Sequence, residues 1–237
     1  PVLGMEYPTA DTRKLLSTET AVRSTSAGNA DDRHFDDFRR EHLNLSENAY
    51  NTLDELKLFP PLADCYITGS DQVLSNPDNR TFFLDFGYSY VRRIAYAPSF
   101  ALETYPQELC DLLKENLTRF DAVSVREKTA EDICRKAGID AQWVLDPTML
   151  LDGEYYRRLA AESTTTLPTD YMLVYHVNVQ SSDMPWWHHV EEYNTEHGIR
   201  AMAVHANGEQ GGAEFLHSVE YTYPTIQDWL RLIDGSR

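Results

Sequence analysis

From Asp64 onward, short apolar runs alternate with segments of helical period. The β-rich runs "CYIT", "TFFLDF", "RRIAYAP", "DAVSVRE" and "AQWVLDP" are interleaved with the helical patterns "QELCDLLKENLTRF" and "KTAEDICRKAG". Strands separated by helices of roughly 10 to 15 residues predict a parallel sheet with helices on both faces. Gly138 follows the pattern over 127–137, where a helix stop is expected. Upstream, residues 1–33 are polar and aperiodic and read as a loop or linker. "HFDDFRREHLNLS" predicts a short helix that docks on a core through Phe35, Phe38 and Leu43, and "SENAYNTLDELKLF" a second helical or turn segment. Downstream, the helical "EYYRRLAAE" and the joint "STTTLPTD" precede a second alternation. It comprises "YMLVYHV", a Trp-rich helix from Pro185 to His197, "IRAMAVH", "VEYTY" and "TIQDWLRLI".

The expected fold class is therefore α/β, with two Rossmann-like domains facing across a cleft. The expected domains are a linker over 1–33, an N-terminal Rossmann-like domain over 34–165 and a partial C-terminal one over 166–237. The first lacks the usual opening strand and glycine turn, and the second stops one helix after "VEYTY". The pattern thus predicts truncation at both ends.

Composition narrows the function. An apolar fraction of 42% in 237 residues supports ordinary globular cores. A net charge of -17 argues against nucleic acid as a partner, because phosphate-backbone binding needs clustered Lys and Arg. The three cysteines, Cys65, Cys110 and Cys134, are far apart and in no metal-ligand spacing, which predicts no disulfide framework, no metal and a cytoplasmic setting. No apolar run reaches the roughly 20 residues of a membrane-spanning helix.

In an open parallel sheet, ligands bind beyond the carboxyl ends of the strands, so the residues after each run are the candidates. "ITGSDQV" offers Gly69, Ser70, Asp71 and Gln72; "IAYAPSF" offers Tyr96, Pro98 and Ser99; "VSVRE" offers Arg126 and Glu127; "VLDPTML" offers Asp146 and Thr148. Gly69 permits a sharp turn, Ser70 can donate to an anion, and Asp71 can orient or deprotonate a hydroxyl, unless it merely caps a following helix. The Arg126 fork can reach a carboxylate or phosphate bidentately, with a surface salt bridge to Glu127 or Glu131 as the plain alternative. For Asp146 the capping role over "PTMLLDGEYY" is favoured. His176 and His205 follow strands of the second domain, where either a proton donor or a hydrogen-bonded structural histidine fits. Nucleotide, zinc-protease and lipase motifs are missing.

These strand endings, in this order, resemble the polysaccharide pyruvyl transferase family. The likeness rests on "DCYITGSDQV", "FFLDFGYSYVRRIAYAPSF", "RFDAVSVREKTAEDI", "GIDAQWVLDPTMLL", "DYMLVYHV" and "YPTIQDWLRLI", from Phe35 to Ile233. It implies a GT-B-like arrangement, with the acceptor on the N-terminal side and the donor on the C-terminal side. It also implies transfer of a pyruvyl ketal from phosphoenolpyruvate onto a sugar of a cell-surface polysaccharide or its lipid-linked precursor. Phosphoenolpyruvate is then a substrate, no cofactor is required, and the protein works in the cytoplasm or peripherally at the membrane. Arg126, matching the family's arginine in "SVRE", is implied to hold the donor's phosphate or carboxylate. Asp71 positions or deprotonates the acceptor hydroxyl, with Ser70, Gln72 and Ser99 lining the acceptor side.

The sequence departs from the family pattern at Leu74, where Trp is usual, and at Ala101, where Gly is usual. Both are expected at a pocket edge. The family's opening strand with its "NYG"-type turn and its "SFHG"-type segment, whose histidine is the implied general acid, have no counterpart here. A catalytically incomplete saccharide-binding domain and a nucleotide-sugar GT-B glycosyltransferase remain as alternatives, since fold alone does not fix function.

Overall fold

A computed structural model describes residues 34–176, 185–205, 219–222 and 224–237, and the chain forms two compact units. The first comprises Asn44–Leu151; the second comprises Asp152–Arg237 together with residues 34–43.

The first unit carries four parallel strands in sequential order: β1 (Cys65–Thr68), β2 (Arg92–Ala95), β3 (Ala122–Val125) and β4 (Gln142–Trp143). Before them runs α2 (Leu53–Leu58), capped by the Thr52 hydroxyl, which accepts from Glu55 N–H. Helix α3 (Cys110–Leu117) returns the chain from β2 to β3, and α4 (Lys128–Lys136) returns it from β3 to β4. Helix α4 ends as its sequence predicts: Gly138 has φ +75° and its N–H reaches Arg135 O at 3.0 Å. The apolar faces of α3 and α4 supply Leu113, Leu117, Ala130, Ile133 and Cys134 to a core that also takes Leu74, Phe83, Phe100 and Val125. Asn116 in the "NLT" sequon is fully buried and donates from Nδ2 to Pro77 O at 2.8 Å, so its amide is a packing element.

The connection from β1 to β2 overturns one expectation. "TFFLDF" is not a strand but a succession of turns, with Phe82 N–H on Asn79 O, Leu84 N–H on Thr81 O at φ +52°, and Asp85 N–H on Arg80 O. Burial of Phe83, Leu84 and Phe86 explains the apolar pattern, which by itself cannot separate a buried strand from a buried loop. The loop is pinned by Asp85, whose carboxylate meets Lys57 Nζ at 3.1 Å, Arg80 Nε at 2.7 Å and Arg119. It is also held by the Arg93 guanidinium, which donates to the carbonyls of Leu84, Phe86 and Val91.

The second unit carries the parallel strands β5 (Tyr171–His176), β6 (Arg200–His205) and β7 (Val219–Thr222), with α5 (Gly153–Ala161), α6 (Pro185–His197) and α7 (Ile226–Gly235). Strands β5 and β6 pair over six residues, from Tyr171 with Arg200 to His176 with His205. Tyr171, Met202, Val204 and Leu232 form its core, and Tyr171 donates its hydroxyl to Leu232 O at 2.7 Å. Helices α5 and α7 are tied by Ser163 to Asp228 at 2.5 Å and by Arg231 to Ser163 O at 2.9 Å. Helix α1 (Phe35–His42) forms as predicted; none of its residues is fully buried, Phe35 and Phe38 are half-buried, and Leu43 is exposed. No helix among the described residues is long and apolar enough to cross a membrane.

The architecture is thus α/β with parallel sheets. Leu74 is fully buried rather than at a pocket edge, so its departure from the family's Trp concerns core packing. Ala101 has φ +52°, in the left-handed region that glycine occupies at least cost. Ala101→Gly should therefore stabilise the protein by about 0.5–1 kcal/mol, seen as a higher urea midpoint at constant slope. Burial opposes ionisation of Asp85, but hydrogen bonds from Arg80, Lys57 and Arg119 outweigh it and bring its pKa from 3.8 down to about 2. A depressed carboxylate stabilises the fold above its unfolded value and loses that contribution as pH falls through the folded one. Unfolding midpoints of wild type minus Asp85→Asn should accordingly shrink between pH 3.8 and about 2, and a difference that is flat across that window would remove Asp85 from the acid-sensitive set.

Candidate functional site

All four strands of the first sheet run the same way, so the segments after β1, β2, β3 and β4 meet at one edge. Backbone hydrogen bonds stitch three of them together. Tyr96 N–H donates to Thr68 O at 2.9 Å, Ser99 N–H to Asp71 O at 2.9 Å, Leu74 N–H to Ser99 O at 3.2 Å and Arg126 N–H to Pro98 O at 3.2 Å. Ser124 adds a side-chain link, accepting from Ala97 N–H at 3.1 Å and donating to Ala95 O at 3.0 Å.

Gly69 is required here. Its φ is +136°, and a Cβ at this position would lie 2.0 Å from Tyr96 O, so only glycine lets the β1 exit pass against the β2 exit. The turn sets Ser70 and Asp71 on the rim. No helix follows, so the capping role for Asp71 falls away; its Oδ1 instead accepts from Gln72 N–H at 2.8 Å. Gln72 is exposed beside it. Ser99 is buried, and its hydroxyl accepts from Ala101 N–H at 2.9 Å, so it shapes the loop from inside. Tyr96 is half-buried and contributes its carbonyl to the wall over Gly69.

Arg126 is the hub. Its Nη1 reaches Asp146 at 3.1 Å, Nε reaches Glu127 at 3.3 Å and Nη2 lies 4.0 Å from Asp71. The anticipated Glu127 pair is thus real, and two further carboxylates join it. Burial works against the Arg126 charge, but the hydrogen bonds it donates to Asp146 and Glu127 raise its pKa overall. Asp146 does what its sequence context predicts, capping the 3-10 turn Pro147–Leu150 by accepting from Thr148 N–H at 2.9 Å and from Thr148 Oγ1 at 2.8 Å. Burial would lift the Asp146 pKa, but Thr148, Arg126 and Ser70 together hold it below the usual carboxylate value. Glu127 keeps one buried carboxylate oxygen, Oε2, without a hydrogen-bond partner among the described residues.

One guanidinium therefore faces three carboxylates. The rim is net acidic and rich in acceptors, an arrangement suited to neutral hydroxyls, whereas an incoming anion must first displace a carboxylate. Sequence reasoning missed Trp143. The residue is 53% exposed, its Nε1–H donates to Arg126 O at 3.0 Å, and Lys128 Nζ lies 5.8 Å from its ring centroid. The available signal was an aromatic residue at the carboxyl end of a strand beside "DP". His176 ends β5, and its backbone pairs with His205; both side chains lie outside the described residues.

Neither the curated proteins nor the solved structures include a significant match to this chain. The family model for polysaccharide pyruvyl transferase matches residues 16–237, which contain the whole of the Ser70, Asp71, Arg126, Glu127 and Asp146 cluster. The chain belongs to the polysaccharide pyruvyl transferase family.

Proposed function

We propose that the protein transfers a pyruvyl ketal from phosphoenolpyruvate to a sugar of a cell-surface polysaccharide or its lipid-linked precursor, and that the acidic rim of the first unit cradles the acceptor. Family membership supports the transferase class. The observation that carries the site assignment is the pairing of Arg126 with Asp71, Glu127 and Asp146. In this reading the two units are Rossmann-like halves of a GT-B arrangement, with the donor on the second. The reaction takes place on the cytoplasmic side of the membrane, and phosphoenolpyruvate enters as substrate without a cofactor.

The chemistry matches these groups. Ketal formation adds a proton to the donor's methylene carbon, joins two acceptor hydroxyl oxygens to its central carbon and releases phosphate. Each hydroxyl gives up its proton. Asp71, 57% exposed on the rim, is placed to accept a hydroxyl hydrogen bond and take that proton. Arg126 acts as a positioning residue that holds Asp71 and Asp146 in place, and Ser70 fixes Asp146 from the other side. The exposed Trp143 ring offers an apolar face of the kind on which sugar C–H groups rest. Holding the anionic donor at Arg126 would first require loss of a carboxylate partner, so the hydroxyl role is the one this charge balance favours.

Three substitutions test the assignment. Asp71→Asn should lower kcat about a hundredfold or more while the phosphoenolpyruvate KM holds, as removal of a positioned base does; wild-type turnover would remove Asp71 from the chemistry. Trp143→Ala should raise the acceptor KM about three- to tenfold with kcat spared. Arg126→Ala should raise the acceptor KM more than the phosphoenolpyruvate KM, and the opposite order would return Arg126 to the donor.

A further inference from the structure

The opposite edge of the same sheet carries a cluster of cations around Asp85, with the Asp121 carboxylate accepting from Arg93 N–H at 2.8 Å beside it. Lys57 lies on α2 before β1, Asp85 in the connection before β2, Arg93 at the start of β2 and Arg119 just before β3. These four line one cavity of about 540 Å³ together with Gly87 and Ser89. Three cations and one carboxylate leave a surplus of two positive charges in the lining, in a chain whose net charge is -17.

That surplus is not an accident of long side chains on an open surface. Asp85 already binds Lys57, Arg80 and Arg119, so a single carboxylate is shared among three cations. The half-buried Arg93 guanidinium donates to backbone carbonyls of Leu84, Phe86 and Val91, which carry no formal charge. Arg119 is fixed from behind by Asn116 at 3.5 Å, and the side chain of Arg119 is only 33% exposed. The cations are therefore held in place before any ligand arrives, which lowers the ordering cost of binding.

We propose that this cavity is an anion site that takes a doubly charged tetrahedral oxyanion, the phosphate group of a phosphate monoester, independently of the acidic rim. The lining's surplus of two charges attracts a dianion; Lys57 and Arg119, which share the one carboxylate of Asp85, are the donors that turn to phosphate oxygens, while Arg93 contributes its charge. The two sites are separated by the length of the strands: four residues at about 3.3 Å each place the edges roughly 13 Å apart. A ligand at one edge does not reach the groups at the other.

Orthophosphate titrated into the isotopically labelled chain at constant ionic strength tests this, because the fixed salt level removes general screening. The expected result is a saturable shift of the Gly87 and Ser89 amides and of the Arg119 side chain, with no movement at Ser70 or Arg126. Lys57→Ala, which leaves Asp85 two cationic partners, should weaken the binding about three- to fivefold, the scale of a partly exposed ion pair. Saturable shifts centred on Ser70 and Arg126 would overturn the proposal. So would shifts that never saturate, or affinity unchanged in a Lys57→Ala chain whose spectrum remains that of the folded protein.

Discussion

The first unit depends on the hydrogen bonds that run between its strand exits rather than within its strands. Ser99 N–H to Asp71 O, Leu74 N–H to Ser99 O and Arg126 N–H to Pro98 O make three loops into one surface. The strands themselves are short, and β4 has only two residues. The buried Leu74, Pro98 and Phe100 hold the loops against the core from below, which keeps Asp71 and Arg126 in register above. Because each backbone group in such a loop needs a partner, the stitching satisfies the polar atoms and positions the candidate site side chains at once.

Charge is sorted by the direction of the strands. The carboxyl edge collects Asp71, Glu127 and Asp146 around Arg126, while the amino edge collects Lys57, Arg80 and Arg119 around Asp85, with Arg93 held on neighbouring carbonyls. In each cluster one central charge is surrounded by several of the opposite sign. Such an arrangement orders the side chains through shared partners and leaves a net local field. An acidic field favours hydroxyl donors and a basic field favours oxyanions, so the sheet presents two different chemistries on opposite edges.

Much of this was legible in the sequence for identifiable reasons. The alternation of β-rich and helical runs located all seven strands of the described residues and added one that does not form, because period and strand propensity are local properties. Gly138 marked the end of α4 and the Asp146–Pro147 pair marked a capped turn, since both features are set by one or two residues' own backbone preferences. The rule that ligands sit beyond strand ends put Ser70, Asp71, Arg126 and Asp146 on one list before their contacts were known. "TFFLDF" was misread because a buried loop and a buried strand share the same apolar pattern; the difference lies in Arg93 and Asp85 pinning the loop from elsewhere in the chain.

What the sequence alone determined was the order of elements, their type and the residues available at each strand end. Only the tertiary structure decided how those residues share charge. Arg126 met three carboxylates because parallel strands bring Asp71 and Asp146 to it from 55 positions before and 20 after. Lys57 met Asp85 because α2 and the β2 connection converge at the other edge. Coulombic and hydrogen-bond energies depend on separation in space, and separation along the chain does not predict it.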